Sequence, residues 1–286
     1  MSTTRDLSKP GNGPASLTRN GAGDHDGPLT NARYWENNWR HAGRVASRVD
    51  VGRRYIDAVM DRVLHRRLAV DPTRRFLEVG CGTGRWLVYF HRTFGYAVTG
   101  CDYTEASCDL ARRHLEEAGA PGTILQQDLF TLTGTYDVIS SGGLIEHFTD
   151  PKALLEKFVS LLAPGGTLIT TVPNLAGLSG FYQRRWKPET FETHRVVTRD
   201  ELARWYGELD LQGIEVQAYG SVVPERFPHE KIRSTHPRFY RVFWNAFFRP
   251  FLGGTNRACL MLYRRFGWQL ESPRFSPYLY AIGDRR

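Results

Sequence analysis

Short apolar runs recur along the chain, most ending in an acid or a glycine, and segments with helical spacing separate them. The runs are Phe76-Leu77-Glu78-Val79, Tyr96 to Asp102, Ile124 to Leu129, Tyr136 to Ser141, Thr167 to Val172, Ile214 to Tyr219 and Tyr278 to Ile282. Each is too short for a buried helix and has the length of a strand. Ahead of the first run, Tyr55, Ile56, Val59, Met60, Val63 and Leu64 follow i, i+3, i+4 spacing, which predicts a helix with Asp50 as its N-cap. Thr198-Arg-Asp-Glu201 is a capping box opening a helix that carries Leu202, Trp205 and Tyr206. Strands alternating with helices predict one α/β domain with a mainly parallel sheet. Met1 to Thr30 is almost devoid of apolar residues and reads as a disordered tail, leaving 31–286 as the domain. Residues 221–275 are too long for a structureless loop and predict a helical insertion. Its aromatic run from Phe239 to Leu252 predicts one helix, Gly253-Gly254 a break, and Ala258 to Phe266 a second.

The first run leads into Gly80-Cys-Gly82-Thr-Gly84, a strand, glycine turn and helix start of the kind that binds a nucleotide cofactor. The spacing is G-x-G-x-G, whereas the dinucleotide fingerprint is G-x-G-x-x-G. Glu78 is a second discriminator, because a carboxylate repels a pyrophosphate but suits a cationic ligand. Asp102 ends the second run about 20 residues past the glycines, where a Rossmann-like site holds ribose hydroxyls. Asp128 ends the third. Gly142-Gly143 and then Glu146-His147 follow the fourth, and Pro164-Gly-Gly166 leads into the fifth.

These segments, in this order and spacing, resemble the class I S-adenosylmethionine-dependent methyltransferases, and are nearest in pattern to the ubiquinone-type O-methyltransferases. The resemblance covers roughly Tyr34 to Tyr219 and resumes near Pro277. It implies a Rossmann-like, seven-stranded, mainly parallel sheet with an antiparallel last strand and helices on both faces. It implies S-adenosylmethionine as cofactor, bound by Glu78, Gly80, Gly82, Gly84, Asp102, Tyr103, Asp128, Leu129 and Gly142. Arg48 is the candidate for the cofactor's carboxylate, and Tyr34, Trp35 and Trp39 for an aromatic lid. His147, Glu146 and His194 are the catalytic candidates. An imidazole with a pKa of about 6.5 suits a general base near neutral pH. Ubiquinone-type relatives carry Glu-x-x-Glu-His at this point, with the acids linked to a metal. Gly143 stands in place of the first Glu, so no metal is expected. The function implied is methyl transfer to a small-molecule or lipid-like acceptor, first at oxygen, with nitrogen or carbon as alternatives. A nicotinamide-dependent oxidoreductase and a non-catalytic cofactor-binding protein are the competing classes.

Composition changes this picture little. A formal charge of +8 would suit nucleic acid, but the arginines are scattered and no nucleic-acid-binding module is recognisable, so none is expected as partner. Four cysteines without metal or redox spacing, and no apolar stretch of membrane-spanning length, predict a cytoplasmic protein. Arginines interleaved with the aromatics of 239–267 allow a peripheral membrane contact or an apolar lid for a hydrophobic or lipid-linked acceptor.

Overall fold

A computed structural model of the protein describes residues 28–41, 48–221, 238 and 240–286. Seven strands form one sheet: β1 (Arg75–Val79), β2 (Ala97–Asp102), β3 (Gly122–Gln126), β4 (Tyr136–Gly142), β5 (Leu162–Pro173), β6 (Leu211–Tyr219) and β7 (Tyr278–Arg285). Their order is β3-β2-β1-β4-β5-β7-β6, with β7 antiparallel to both neighbours and the first five strands parallel. Alternation along β1 divides the interior. Phe76 joins a cluster with Met60, Phe90 and Val98, whereas Leu77 joins one with Ile139, Phe158, Leu168 and Tyr206. Helices therefore cover both faces. They are α1 (Ala32–His41), α2 (Tyr55–Arg67), α3 (Arg85–Phe94), α4 (Glu105–Glu117), α5 (Pro151–Leu161), α6 (Leu178–Trp186), α7 (Pro188–Phe191), α8 (Arg199–Glu208) and α9 (Arg249–Phe266).

The strand order reverses direction between β1 and β4, and a ligand crevice opens at such a point beyond the strands' C-terminal ends. The glycine turn leaves β1 on one side of it, and Glu146-His147 leave β4 on the other.

Three expectations are corrected. Helix α2 begins at Tyr55 with Arg54 at its N-cap, and Asp50 instead accepts from the Gly52 and Arg53 amides in a separate turn. The Tyr55 amide is satisfied from afar, by Asn256 Oδ1 at 3.1 Å. Gly253-Gly254 does not break the insertion: a π-helix (Tyr240–Phe248) runs into α9, which continues through both glycines. Each glycine costs about 1 kcal/mol, and burial of Cys259, Leu260 and Tyr263 in the cluster with α2, with the Asn256 cap, offsets it. The capping box forms as expected, the Thr198 side chain accepting from the Glu201 amide. The expected tail is shorter than 30 residues. Pro28 bridges Phe148, the Leu29 amide donates to the His147 carbonyl at 2.7 Å, and Thr30 is buried. The rest of that tail, and 222–237 of the insertion, lie outside the described residues.

Candidate active site

Glu78 closes β1 with only 5% of its surface exposed, and its Oε2 has no hydrogen-bond partner among the described residues. Burial pushes its carboxyl up to about 8, against the opposing pull of Arg85. A buried acid in this state is compensated by a cation, and the ammonium of S-adenosylmethionine is one. The donor set therefore fits that cofactor and opposes a pyrophosphate.

The three glycines of the turn serve different neighbours. Gly82 has φ +50°, and a Cβ there would stand 2.9 Å from the Trp39 indole. Gly84 has φ +68°, and its Cβ would press on the Ala111 backbone at 3.1 Å, so its task is to seat α3 against α4. Gly80 faces Leu144. On β2, the buried Asp102 accepts through Oδ1 from both the Thr104 amide and hydroxyl, at 3.0 and 2.8 Å. Those two bonds fix the carboxylate's rotation, so that Oδ2 is presented in one orientation. Tyr103 beside it is exposed. Asp128 is exposed and caps a short turn through the Phe130 amide at 2.9 Å, with Leu129 half-buried within it. Gly142 is exposed at the end of β4.

Sequence reasoning missed one cluster. Arg48 is exposed, and the arginine directly ahead of α2 is Arg54. The Nη1 of Arg54 is buried without a hydrogen-bond partner among the described residues, 3.8 Å from Asp57 Oδ2. Arg85 Nη2 donates to Asp57 Oδ1 at 2.7 Å. Asp57 lies at i+3 from Arg54, a helical pairing that would have pointed to Arg54 had the helix start been placed correctly.

Across the crevice, Glu146 and His147 form a buried short turn after β4, and His147 is 3% exposed. His194, from the segment after α7, brings its ring centroid to 4.3 Å from that of His147. Thr193 O takes a hydrogen from His147 Nδ1 at 2.8 Å, and Thr190 O one from His194 Nδ1 at 2.6 Å. A carbonyl can only accept, so both imidazoles carry a proton on Nδ1. His147 Nε2 lies 3.9 Å from Glu146 Oε1. Burial, then the neighbouring His194, pushes His147 down to about 4, so it is neutral at pH 7 and a weaker base than its free value suggests.

Helix α1 joins the two sides. Trp39 lies on Gly82, Trp35 packs edge-on to His147 at 4.8 Å, and the two indoles stack at 6.3 Å. All three expected catalytic residues are thus brought together, under the same aromatic row as the glycine turn.

The model of the methyltransferase-domain family matches residues 52–216, more than half of the chain. A ubiquinone biosynthesis O-methyltransferase from Caulobacter sp. (strain K31) is 33% identical over 159 residues, 51% of this chain and 60% of that protein. The chain therefore spans less than two thirds of that relative's length. A Thermotoga maritima S-adenosylmethionine-dependent methyltransferase superposes with a TM-score of 0.56 at 15% identity, covering 89% of this chain and 99% of that one. The Streptomyces coelicolor A3(2) geranyl diphosphate C-methyltransferase, solved with S-adenosyl-L-homocysteine, gives 0.52 at 16%, covering 89% and 96%. The chain belongs to the class I S-adenosylmethionine-dependent methyltransferases, and S-adenosylmethionine is its cofactor.

One consequence concerns pH. Burial pushes the Glu78 carboxyl up to about 8 in the free protein, and a cation bound beside it would draw its proton off. Were the cofactor's positive charge bound there, affinity would be weaker at low pH and rise toward pH 8. Calorimetry at pH 7 in buffers of different ionisation enthalpy should show release of close to one proton per cofactor, and Glu78→Gln should remove that release. A proton balance of zero in the native protein would contradict this account of Glu78.

Proposed function

We propose that the protein transfers the methyl group of S-adenosylmethionine to a hydroxyl oxygen of a small apolar or lipid-linked acceptor. The observation that carries the reading is the aromatic row of α1, which ties the glycine turn to the Glu146, His147 and His194 cluster. The bound cofactor supplies the electrophilic carbon. Glu78 answers its ammonium, Asp102 its ribose, and Arg54 its carboxylate. Trp35 and Trp39 exclude water from the crevice between. Holding acceptor and methyl in line is worth roughly 7–11 kcal/mol, and the cluster orients a hydroxyl. The similarity to ubiquinone O-methyltransferases supports oxygen as acceptor. Incubation with methyl-labelled cofactor and host extract, followed by identification of the labelled product, tests this. A labelled C–CH3 or N–CH3 product would replace the oxygen reading, and the absence of any labelled product would favour a non-catalytic binding protein.

The insertion supports the apolar class of acceptor. Phe247 and Phe251 are 64% and 67% exposed, beside exposed Phe243 and Val242, while Leu252, Leu260 and Tyr263 face inward. No acid occurs from Tyr240 to Leu270, whereas Arg249, Arg257, Arg264 and Arg265 are all exposed. Aromatics flanked by arginines in a stretch without acids suit an anionic lipid surface. No helix among the described residues is long and apolar enough to cross a membrane. The protein should sediment with phosphatidylglycerol vesicles at low salt, and release as salt shortens the Debye length. The Phe243→Ser, Phe247→Ser, Phe251→Ser triple variant should stay in the supernatant with its cofactor affinity unchanged. Failure of the native protein to sediment would remove the lipid-surface reading.

A further inference from the structure

We infer that Asn256, on α9 of the insertion, is a positioning residue for the amino-acid end of the cofactor and acts through Arg54. Its side-chain amide makes two hydrogen bonds to the chain ahead of α2. Oδ1 accepts from the Tyr55 amide at 3.1 Å, and Nδ2 donates to the Arg53 carbonyl at 2.8 Å. Those two groups belong to the peptide planes on either side of Arg54. A peptide plane is rigid, so the backbone freedom of a residue is the rotation of its two flanking planes about Cα. One amide that holds both planes fixes φ and ψ of Arg54, at −114° and 117°, and with them the direction in which its side chain leaves the chain. Arg54 could not do this for itself. It stands at the N-cap of α2, and an arginine side chain has no acceptor for the orphan amides of a helix start.

The clamp bears on the cofactor because of the charges that Arg54 joins. Its Nη1 is buried with no hydrogen-bond partner among the described residues and stands 3.8 Å from Asp57 Oδ2, beyond hydrogen-bond reach. Both Asp57 oxygens accept from other donors, Oδ2 from the Asp50 amide at 2.8 Å and Oδ1 from Arg85 Nη2 at 2.7 Å. Arg85 opens α3 directly after the glycine turn, and its charge also pulls on the carboxyl of Glu78. Arg54 thus belongs to the charge network around the acid that answers the cofactor's ammonium. An amino acid carries its carboxylate on the same carbon as that ammonium, and a guanidinium on a fixed stem suits it. The same helix grips the neighbouring backbone, Arg264 Nη2 donating to the Val51 carbonyl at 3.0 Å and Tyr263 packing edge-on to Tyr55. The role of Asn256 rests on the proposed pairing of Arg54 with the carboxylate, and it ties that pairing to the insertion.

Calorimetry on the full chain should compare S-adenosylmethionine with its decarboxylated form, which keeps the nucleoside, sulfonium and amine. Arg54→Gln should weaken S-adenosylmethionine by roughly 10–100-fold and the decarboxylated form by less than about threefold. Asn256→Ala should reproduce that selective loss, at about tenfold or more. The double variant should lose little beyond Arg54→Gln alone, since both changes act through one guanidinium. A merely structural role would weaken both ligands alike. Arg264→Ala removes another contact of α9 with this backbone but holds neither plane at Arg54, so it should leave the ratio of the two affinities unchanged. If circular dichroism shows that Asn256→Ala does not fold, Asn256→Asp carries the test. It keeps an acceptor for the Tyr55 amide and sets a carboxylate against the Arg53 carbonyl. An affinity ratio within about threefold of native in the folded Asn256 variant, or an equal selective loss in Arg264→Ala, would overturn the role of Asn256. A selective Arg54→Gln beside a native-like Asn256 variant would remove this inference alone. An Arg54→Gln that weakens both ligands alike would remove the pairing with the carboxylate, and the role of Asn256 with it.

Discussion

Gly82→Val is expected to abolish most S-adenosylmethionine binding, lowering affinity by ~100-fold or more. The added Cβ starts 2.9 Å from the Trp39 ring, inside contact distance, and φ +50° suits no β-branched residue. Two responses are open to the chain. If the turn yields, the backbone leaves the conformation that a ligand approaches; if Trp39 yields, α1 lifts off the crevice. Either route removes cofactor contacts while the strands beneath keep their pairing. Asp102→Ala should match this loss by another mechanism. Two charge-assisted hydrogen bonds to ribose are worth about 1.5–3 kcal/mol each, or roughly 10²–10⁴-fold together. That variant also loses the two bonds to Thr104, at the N-cap of α4, so its melting temperature should drop modestly. Asp102→Asn, which keeps an acceptor, should recover part of both. The measurement is calorimetric affinity with far-UV circular dichroism as the check on folding. Near-native affinity in folded Gly82→Val and Asp102→Ala would remove both residues from the cofactor site.

How far the chain could be read ahead of its structure depended on whether a feature was local. β1, its glycine turn and the acids ending β1 and β2 are continuous segments, and each lies where its pattern put it. The Thr198 capping box spans only four residues and forms as written. The misreadings came from contacts between distant segments. Asp50 had the residue type of an N-cap, yet α2 starts later because Asn256, on α9, satisfies the Tyr55 amide and also donates to Arg53 O. Gly253-Gly254 would break an isolated helix, but packing beside α2 outweighs propensity. The same later start puts Arg54, and not Arg48, directly ahead of α2. The pairing of His194 with His147 could not be read from spacing either, since it needs the loop after α7 folded back so that Arg195 N donates to Glu146 O at 2.7 Å.

His147→Ala is expected to separate turnover from cofactor binding. The imidazole sits after β4, against Trp35 and His194, whereas Glu78 and Asp102 lie at the ends of β1 and β2. In the proposed reaction its removal would delete a group that orients the acceptor hydroxyl, and groups that move or position such a proton typically contribute about 10²–10⁴-fold. Single-turnover methyl transfer, on the acceptor identified from labelled extract, should therefore slow by ~100-fold or more, with cofactor affinity changed by less than about threefold. The side chain is buried and its Nδ1 donates to Thr193 O, so the variant also leaves a carbonyl unpaired, at about 1–3 kcal/mol of stability. Trp39→Ala supplies the opposite pattern. It uncovers Gly82 and should weaken cofactor binding more than it slows the bound complex. A protein in which His147→Ala turns over at the native rate would leave this imidazole as packing between Trp35 and the Thr193 loop. The acceptor would then have to be oriented by groups elsewhere along the crevice.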